Sequence, residues 1–327
     1  MNVLIITEAN EIVASGHLME SIALARKCKE MGIDYTVLVN ADMPAAWKER
    51  LIDLRFQEYT QSISKGMREI KGVISSQNFD VIIIDVRELK NEQIQIIRKV
   101  FNKRIVCLDE WGNRYLDCDI IVNNMLASYY WNYQDSKAKL YAGPQYLMLE
   151  DKLKVYHNKK KYIAKNIKKI VISMGGVDPK NHTKRIVHDL RGIPELFEID
   201  VVLGGGYLYK EELVRTIGED SRFVIHQNIN YIYELFEQAD VAFCAGGNTM
   251  YELAGIGTPM IVIPTMVHEE KNGKEFERAG ACKLLEGEIQ ETLYGLNVYE
   301  RKKMSFNGKK LIDGKGVDRI LEIVVSK

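Results

Sequence analysis

What most constrains this chain is its rhythm. Short runs of β-branched and apolar residues alternate with helix-length amphipathic stretches along the whole of its 327 residues. Val81-Ile82-Ile83-Ile84 and Ile120-Ile121-Val122 are apolar without alternation, as required of strands in a parallel sheet covered by helices on both faces. In the first half, strands are expected near 2–7, 35–39, 54–58, 80–85, 104–108 and 119–123, with helices near 17–32, 44–53, 61–76 and 89–101. The second half repeats the pattern, with strands near 169–174, 199–203, 222–226, 240–244, 260–263 and 282–285. Such alternation means doubly wound α/β. It lapses over 125–165, which predicts two domains, 1–150 and 151–327, each of ordinary domain size.

Composition narrows the function classes. Apolar residues are 46% and charged residues 28%, enough to bury sizeable cores. Lys+Arg and Asp+Glu are 45 each, so the net charge is zero. That argues against a nucleic acid or an anionic membrane as partner and leaves a local anion site open. The five cysteines, at 28, 107, 118, 244 and 282, are odd in number and never form CxxC, against structural zinc and a disulfide scaffold. The chain enters the strand Val3-Leu4-Ile5-Ile6 without a basic leader, and no apolar stretch approaches the ~18 residues of a membrane helix. A soluble, cytoplasmic protein without an integral membrane segment is expected. Where the alternation lapses lie Tyr129-Tyr130-Trp131-Asn132-Tyr133 and Lys159-Lys160-Lys161. The aromatics are read as packing a loop rather than stacking on a sugar, and the lysines as a solvated linker face.

Ligands of open parallel sheets bind beyond the carboxyl ends of the strands, so chemistry is sought in the loops that follow them. After the first strand, Gly16 permits close backbone approach and His17 opens a helix. There His17 either serves as a general base, its pKa lowered by the helix N-terminus, or merely caps or packs. Asp85 ends strand 80–85, and Asp109-Glu110 follow strand 104–108. These acids hydrogen-bond a sugar, orient His17, form a glycosidase-like pair, hold a metal, or only cap turns. Gly175 and Gly176 follow the strand 169–174 in a tight turn that a ligand can approach. Leu203-Gly204-Gly205-Gly206 lacks the spacing of GxGxxG, and no P-loop motif occurs, which leaves the dinucleotide and P-loop readings little support. Strand 240–244 leads to Gly246-Gly247, then Asn248 or Thr249 as cap, then a helix, a diphosphate site built from amides. Glu252 on that helix takes ribose hydroxyls or serves as a helix-dipole acid. His268 touches substrate or sits at the surface.

Together these residues resemble a known family. GGNTMYELAGIGTPMIVIP looks like the nucleotide-binding segment of GT-B nucleotide-sugar enzymes, including the undecaprenyl-muramyl-peptide GlcNAc transferase. ISMGGVDP, Asp85, LDE at 108–110, CDIIVNN at 118–124, YAGPQYLMLEDKL at 141–153 and IDGKGVDRI at 312–320 narrow the likeness. They are similar to the pseudaminic-acid pathway UDP-sugar hydrolase and its spore-coat polysaccharide relatives, over nearly the whole chain. The resemblance implies a GT-B fold, two Rossmann-like domains facing a cleft, with a UDP-sugar as substrate and water as acceptor. It implies cleavage of the anomeric C–O bond with inversion, releasing UDP and a free diacetamido-trideoxyhexose for nonulosonic-acid or surface-glycan synthesis. No cofactor and no metal are implied. On this chain Gly16-His17 match the family's catalytic Gly-His, with Asp85, Asp109 or Glu110 orienting water or sugar. Gly175, Gly176 and Gly246 to Thr249 match the nucleotide and diphosphate loops, Glu252 the ribose acid, and Asn272 a sugar-side asparagine. The pattern departs at Ala14 in place of glycine, at Glu20 in place of arginine, and at His268-Glu269 in place of Asn-Gln. A glycosyltransferase on the same scaffold and a non-catalytic nucleotide-sugar binding protein are the rival readings.

Overall fold

The computed structural model describes residues 1–9, 16–127, 131–133, 136–149, 151–227 and 229–326, the side chains of Ala46, Asp151 and His268 apart. The chain forms two compact units, Met1–Glu150 with Gly314–Lys327, and Asp151–Asp313. In the first unit the order is β1 (Asn2–Thr7), α1 (Gly16–Glu30), β2 (Asp34–Asn40), α2 (Ala45–Lys48), β3 (Phe56–Tyr59), α3 (Met67–Ser76), β4 (Val81–Asp85), α4 (Asn91–Arg98), β5 (Arg104–Leu108), β6 (Ile120–Asn123) and β7 (Lys139–Ala142). The second runs α5 (Asp151–His157), β8 (Lys169–Ser173), α6 (His182–Arg191), β9 (Glu198–Leu203), α7 (Lys210–Ile217), β10 (Phe223–Gln227), α8 (Ile232–Gln238), β11 (Val241–Cys244), α9 (Asn248–Ile256), β12 (Met260–Val262), α10 (Val267–Arg278), β13 (Lys283–Leu284), α11 (Ile289–Gly295) and α12 (Val298–Leu311). The last helix, α13 (Gly316–Val325), belongs to the first unit.

The described strands of the first unit form a sheet ordered β3-β2-β1-β4-β5-β6-β7, and those of the second a sheet ordered β10-β9-β8-β11-β12-β13. Every pairing is parallel. Both are doubly wound Rossmann-like sheets whose strand order reverses at β1/β4 and at β8/β11, the points where such sheets leave a crevice for ligands.

The unbroken apolar runs split by parity. Val3, Ile5, Val81, Ile83, Val106, Ile120 and Val122 face one side of the first sheet, with Leu18 and Ile22 of α1 and Val317, Ile320 and Leu321 of α13. Leu4, Ile6, Ile82, Ile84, Ile105 and Ile121 face the other, against Ile70 and Ile74 of α3 and Ile94 and Ile97 of α4. Burying each such side chain contributes about 1.5–3 kcal/mol, so both faces must be covered. This corrects the expected second domain of 151–327. Helix α13 closes the core beside α1, tied there by Lys27 to Asp318 at 3.1 Å and by Arg104 donating to the Val324 carbonyl at 3.0 Å. Strand β7 is new to the sequence reading. Its residues are exposed or half-buried, so no apolar run announced it.

Candidate functional site

At the switch point of the first unit, β1 delivers Glu8 and α1 begins at Gly16, while β4 ends at Asp85, which is fully buried. His17, Glu20 and Ser21 share one face of α1 by their spacing of three and four residues. His17 Nδ1 lies 2.6 Å from Asp85 Oδ1, and Ser21 Oγ donates to Asp85 Oδ2 at 3.2 Å. Burial would lower the His17 pKa, but the charge and hydrogen bond of Asp85, with Glu110 and Glu20 farther off, raise it instead to about 10. The expected lowering by the helix N-terminus is therefore overturned, because a full carboxylate charge in contact outweighs a half-charge at a helix end. Burial also raises the Asp85 carboxyl above its ordinary range, with the charge and hydrogen bond of His17 opposing, and His17 accepts a proton only in its unprotonated form. Burial, reinforced by the charges of Asp85 and Glu110, also pushes Glu20 well above the usual carboxyl range.

Asp109 and Glu110 part company. Asp109 is buried, and its oxygens are engaged by its own loop and by Tyr133. It receives Arg114, the Gly112 N–H at 2.9 Å and the Tyr133 hydroxyl at 2.5 Å. It braces a turn rather than joining His17. Glu110 acts on the His17 cluster by charge and receives the Asn124 amide at 3.3 Å. The aromatic stretch does pack the loop: Trp131 donates to the Met125 carbonyl at 2.9 Å, and the Tyr133 hydroxyl receives Asn123 at 2.8 Å. Tyr129 and Tyr130 lie outside the described residues. Ser21 and Asn124 escaped the sequence reading, although the spacing of Ser21 from His17 was a usable signal.

At the switch point of the second unit, two glycine-rich loops leave β8 and β11. Gly175 has φ +82°, and a Cβ built on Gly175 or Gly176 would meet no protein atom within 4 Å. Behind them Gly204 packs so closely on the carbonyls of Gly175 and Gly176 that no side chain fits there. Asp178 ends the loop, accepting the N–H groups of His182 at 2.9 Å and Thr183 at 2.8 Å. After β11 the N-cap of α9 is Gly247, in extended conformation and without a side-chain cap. Neither Asn248 nor Thr249 is the cap, contrary to expectation, so the first amides of α9 keep their donors and the positive end of the helix dipole. Glu252 is half-buried and accepts the Tyr233 hydroxyl at 3.1 Å.

Two of the expected sugar-side residues, Glu269 and Asn272, are buried. Glu269 accepts the Thr265 N–H at 2.6 Å and its hydroxyl at 2.8 Å, and its backbone and Cβ press on Gly246, where a Cβ would come within 2.7 Å. Glu269 thus shapes the glycine loop. Asn272 is 1% exposed and accepts the Tyr251 hydroxyl at 2.8 Å, while its Nδ2 has no partner among the described residues. The side chain of His268 lies outside the described residues.

Comparison with known proteins agrees with this fold. Residues 198–293 match the glycosyltransferase family 28 C-terminal domain. The spore coat polysaccharide biosynthesis protein SpsG of Bacillus subtilis (strain 168) is 25% identical over 326 residues, 94% of this chain and 93% of that protein. An uncharacterized protein of Methanocaldococcus jannaschii is 26% identical over 280 residues, 80% of this chain, and the match spans only 55% of that relative's length. Among solved structures, MurG of Acinetobacter baumannii superposes with a TM-score of 0.69 over 99% of both chains at 12% identity. The fold is GT-B. Another protein of similar structure, Anabaena Alr3699/HepE in complex with UDP, covers 100% of both chains with a TM-score of 0.68 at 13% identity. The GT-B framework accounts for the two doubly wound sheets, each with its own switch point. Among the described residues no helix is long and apolar enough to cross a membrane.

Proposed function

We propose that this chain is a GT-B enzyme acting on a UDP-sugar, cleaving its anomeric C–O bond and releasing UDP. The observation that carries this reading is the start of α9. A helix whose first amides have no side-chain cap follows Gly246-Gly247 at a switch point, the arrangement that binds diphosphate without net basic charge. Gly175 and Gly176 add a second backbone surface, and Glu252 is the acid for the ribose hydroxyls. The uridine assignment is supported by the UDP held by HepE, and a role in surface-glycan synthesis by the name of SpsG.

In the reading we favour, the acceptor is water and the sugar is a diacetamido-trideoxyhexose. His17, its Nδ1 held by Asp85, first gives its Nε2 proton to solvent and then takes there the proton of the attacking water. The water oxygen bonds to the anomeric carbon from the face opposite the diphosphate, so the configuration inverts. The electron pair of the breaking C–O bond leaves on the diphosphate, whose charge the amides at 246–249 stabilise, a preorganised electrostatic effect. The match to a glycosyltransferase family favours a second reading, in which a sugar hydroxyl replaces water.

A UDP-release assay over a panel of UDP-sugars tests this, without and with sugar acceptors, on wild type and His17→Ala. Free sugar and UDP formed without acceptor, and lost in the variant, are expected. UDP release only with an acceptor would select the transferase. No release with any sugar or acceptor, while UDP still binds, would reduce the chain to a nucleotide-sugar binding protein.

A further inference from the structure

Two residues at the strand ends of the first unit have no task in the chemistry above. Strands β4 and β5 are neighbours, with Asp85 opposite Leu108. Arg87 lies two residues beyond Asp85 and Trp111 three beyond Leu108. Both therefore leave the carboxyl edge of the sheet, where ligands of such sheets bind. There the Arg87 guanidinium lies over the Trp111 ring, 5.2 Å from its centroid. The indole is 37% exposed and follows Glu110, whose charge reaches His17. Arg87 is half-buried, and its guanidinium makes no hydrogen bond and no ion pair among the described residues. Arg114, in the loop of Trp111, is by contrast engaged by Asp109 and by the Leu89 carbonyl at 2.8 Å. Stacking at a surface adds little stability by itself. It does fix the plane of a guanidinium while leaving its N–H groups available to a ligand.

We propose that Arg87 and Trp111 form a platform for the sugar ring of the UDP-sugar, and that this ring is neutral. The inference rests on the proposed reaction and names the residues that seat its sugar. The indole takes the C–H face of the ring, whose hydrogens meet the negative face of the π-system. The guanidinium, held in its plane, donates to oxygens at the edge of the ring, acetamido carbonyls or hydroxyls. Carboxylate and phosphate are the usual partners of arginine, but here they would meet like charge, since Glu88 follows Arg87 and Glu110 precedes Trp111. A neutral ring does not. A deoxy ring, with methyl in place of hydroxymethyl, offers the indole more apolar surface than its parent sugar. Both residues are positioning residues: they hold the ring and move no proton.

The test is calorimetric titration of the full chain with UDP, with UDP-N-acetylglucosamine and with a UDP-diacetamido-trideoxyhexose, in a His17→Ala background that leaves the sugar uncleaved. Trp111→Ala should weaken binding of the tighter UDP-sugar by about tenfold, and Trp111→Phe, which keeps an aromatic face, by about twofold at most. Arg87→Ala should weaken it by about tenfold as well. UDP itself should bind all of them as it binds their parent. Circular dichroism checks that each variant is folded. Where an alanine variant is not, Trp111→Leu or Arg87→Lys replaces it, keeping bulk or charge while losing the aromatic face or the planar fork. Unchanged affinity for both UDP-sugars overturns the platform, and so does an equal loss for UDP, because only the sugar touches it. A parent that binds no UDP sinks the proposed reaction instead. The platform is then decided by whether free diacetamido-trideoxyhexose shifts the indole N–H resonance that Trp111→Phe removes.

Discussion

Position 17 shows how one contact redirects a residue. A histidine at a helix start is expected to shed its proton, yet Asp85 at 2.6 Å reverses that tendency. His17→Ala should therefore lower UDP release by about 10²-fold or more, the range of a lost general base, with UDP affinity unchanged. A fall in affinity equal to the fall in turnover would instead make His17 a binding residue. Glu252→Gln belongs to the other unit and should do the opposite, weakening UDP binding by about tenfold with the melting temperature held, as calorimetry reads directly. At Gly246 the limit is steric. A methyl group there would meet Glu269 at 2.7 Å, so Gly246→Ala should cost about 1–3 kcal/mol in urea denaturation and impair UDP binding as well.

Helix α13 was assigned to the wrong unit by sequence because amphipathicity reveals an apolar face and not its partner. Its buried residues, Val317, Ile320, Leu321 and Val324, complete the core that α1 begins. Ile320→Ala should destabilise the first unit by about 2–5 kcal/mol, seen as earlier loss of amide protection in β1 and β4 during denaturation. Loss confined to the second unit would contradict the assignment. A different device ends α8, where Lys161 donates to the carbonyls of Phe236 at 3.3 Å, Ala239 at 2.7 Å and Glu237. Burial lowers its pKa to about 8, the charges of Glu237 and Asp240 only partly opposing. A lysine whose folded pKa is depressed burdens the fold below that value, and the unfolded chain binds the extra proton above it. Stability should therefore rise from pH 8 towards the ordinary lysine value of 10.5. Lys161→Met should lack that increment, so the urea midpoints of the two proteins diverge over that interval.

At the scale of the whole molecule, each unit carries its own core and its own switch point, so nucleotide should stabilise where it binds. Saturating UDP at about 100 times its Kd is worth about 2.7 kcal/mol, and hydrogen exchange should slow around 174–178 and 245–252 rather than along β1 or β4. Protection of the first unit alone would remove the diphosphate site from the glycine loops. Much of the fold was legible because it is written in local periodicity. Val81–Ile84 declares a strand buried on both faces, and Gly246-Gly247 before an apolar helix declares a strand-to-helix turn whatever the rest of the chain does. The site was legible in part. Its loops follow from strand ends, but which acids meet is a matter of distance in space. Asp85 reaches His17 across 68 positions, whereas Asp109, equally acidic and equally placed after a strand, meets Arg114 of its own loop and Tyr133, 24 positions on. Glu269 likewise braces Thr265 and Gly246, and Asn272 accepts the hydroxyl of Tyr251, contacts that no local pattern announces. The sequence by itself determined the doubly wound architecture and where ligands can bind, since both depend on neighbours within a turn or a strand. Only the tertiary structure decided the pairing of His17 with Asp85, the burial of Glu20 and the home of α13, because burial and Coulomb energy depend on residues that are distant in the chain and adjacent in space.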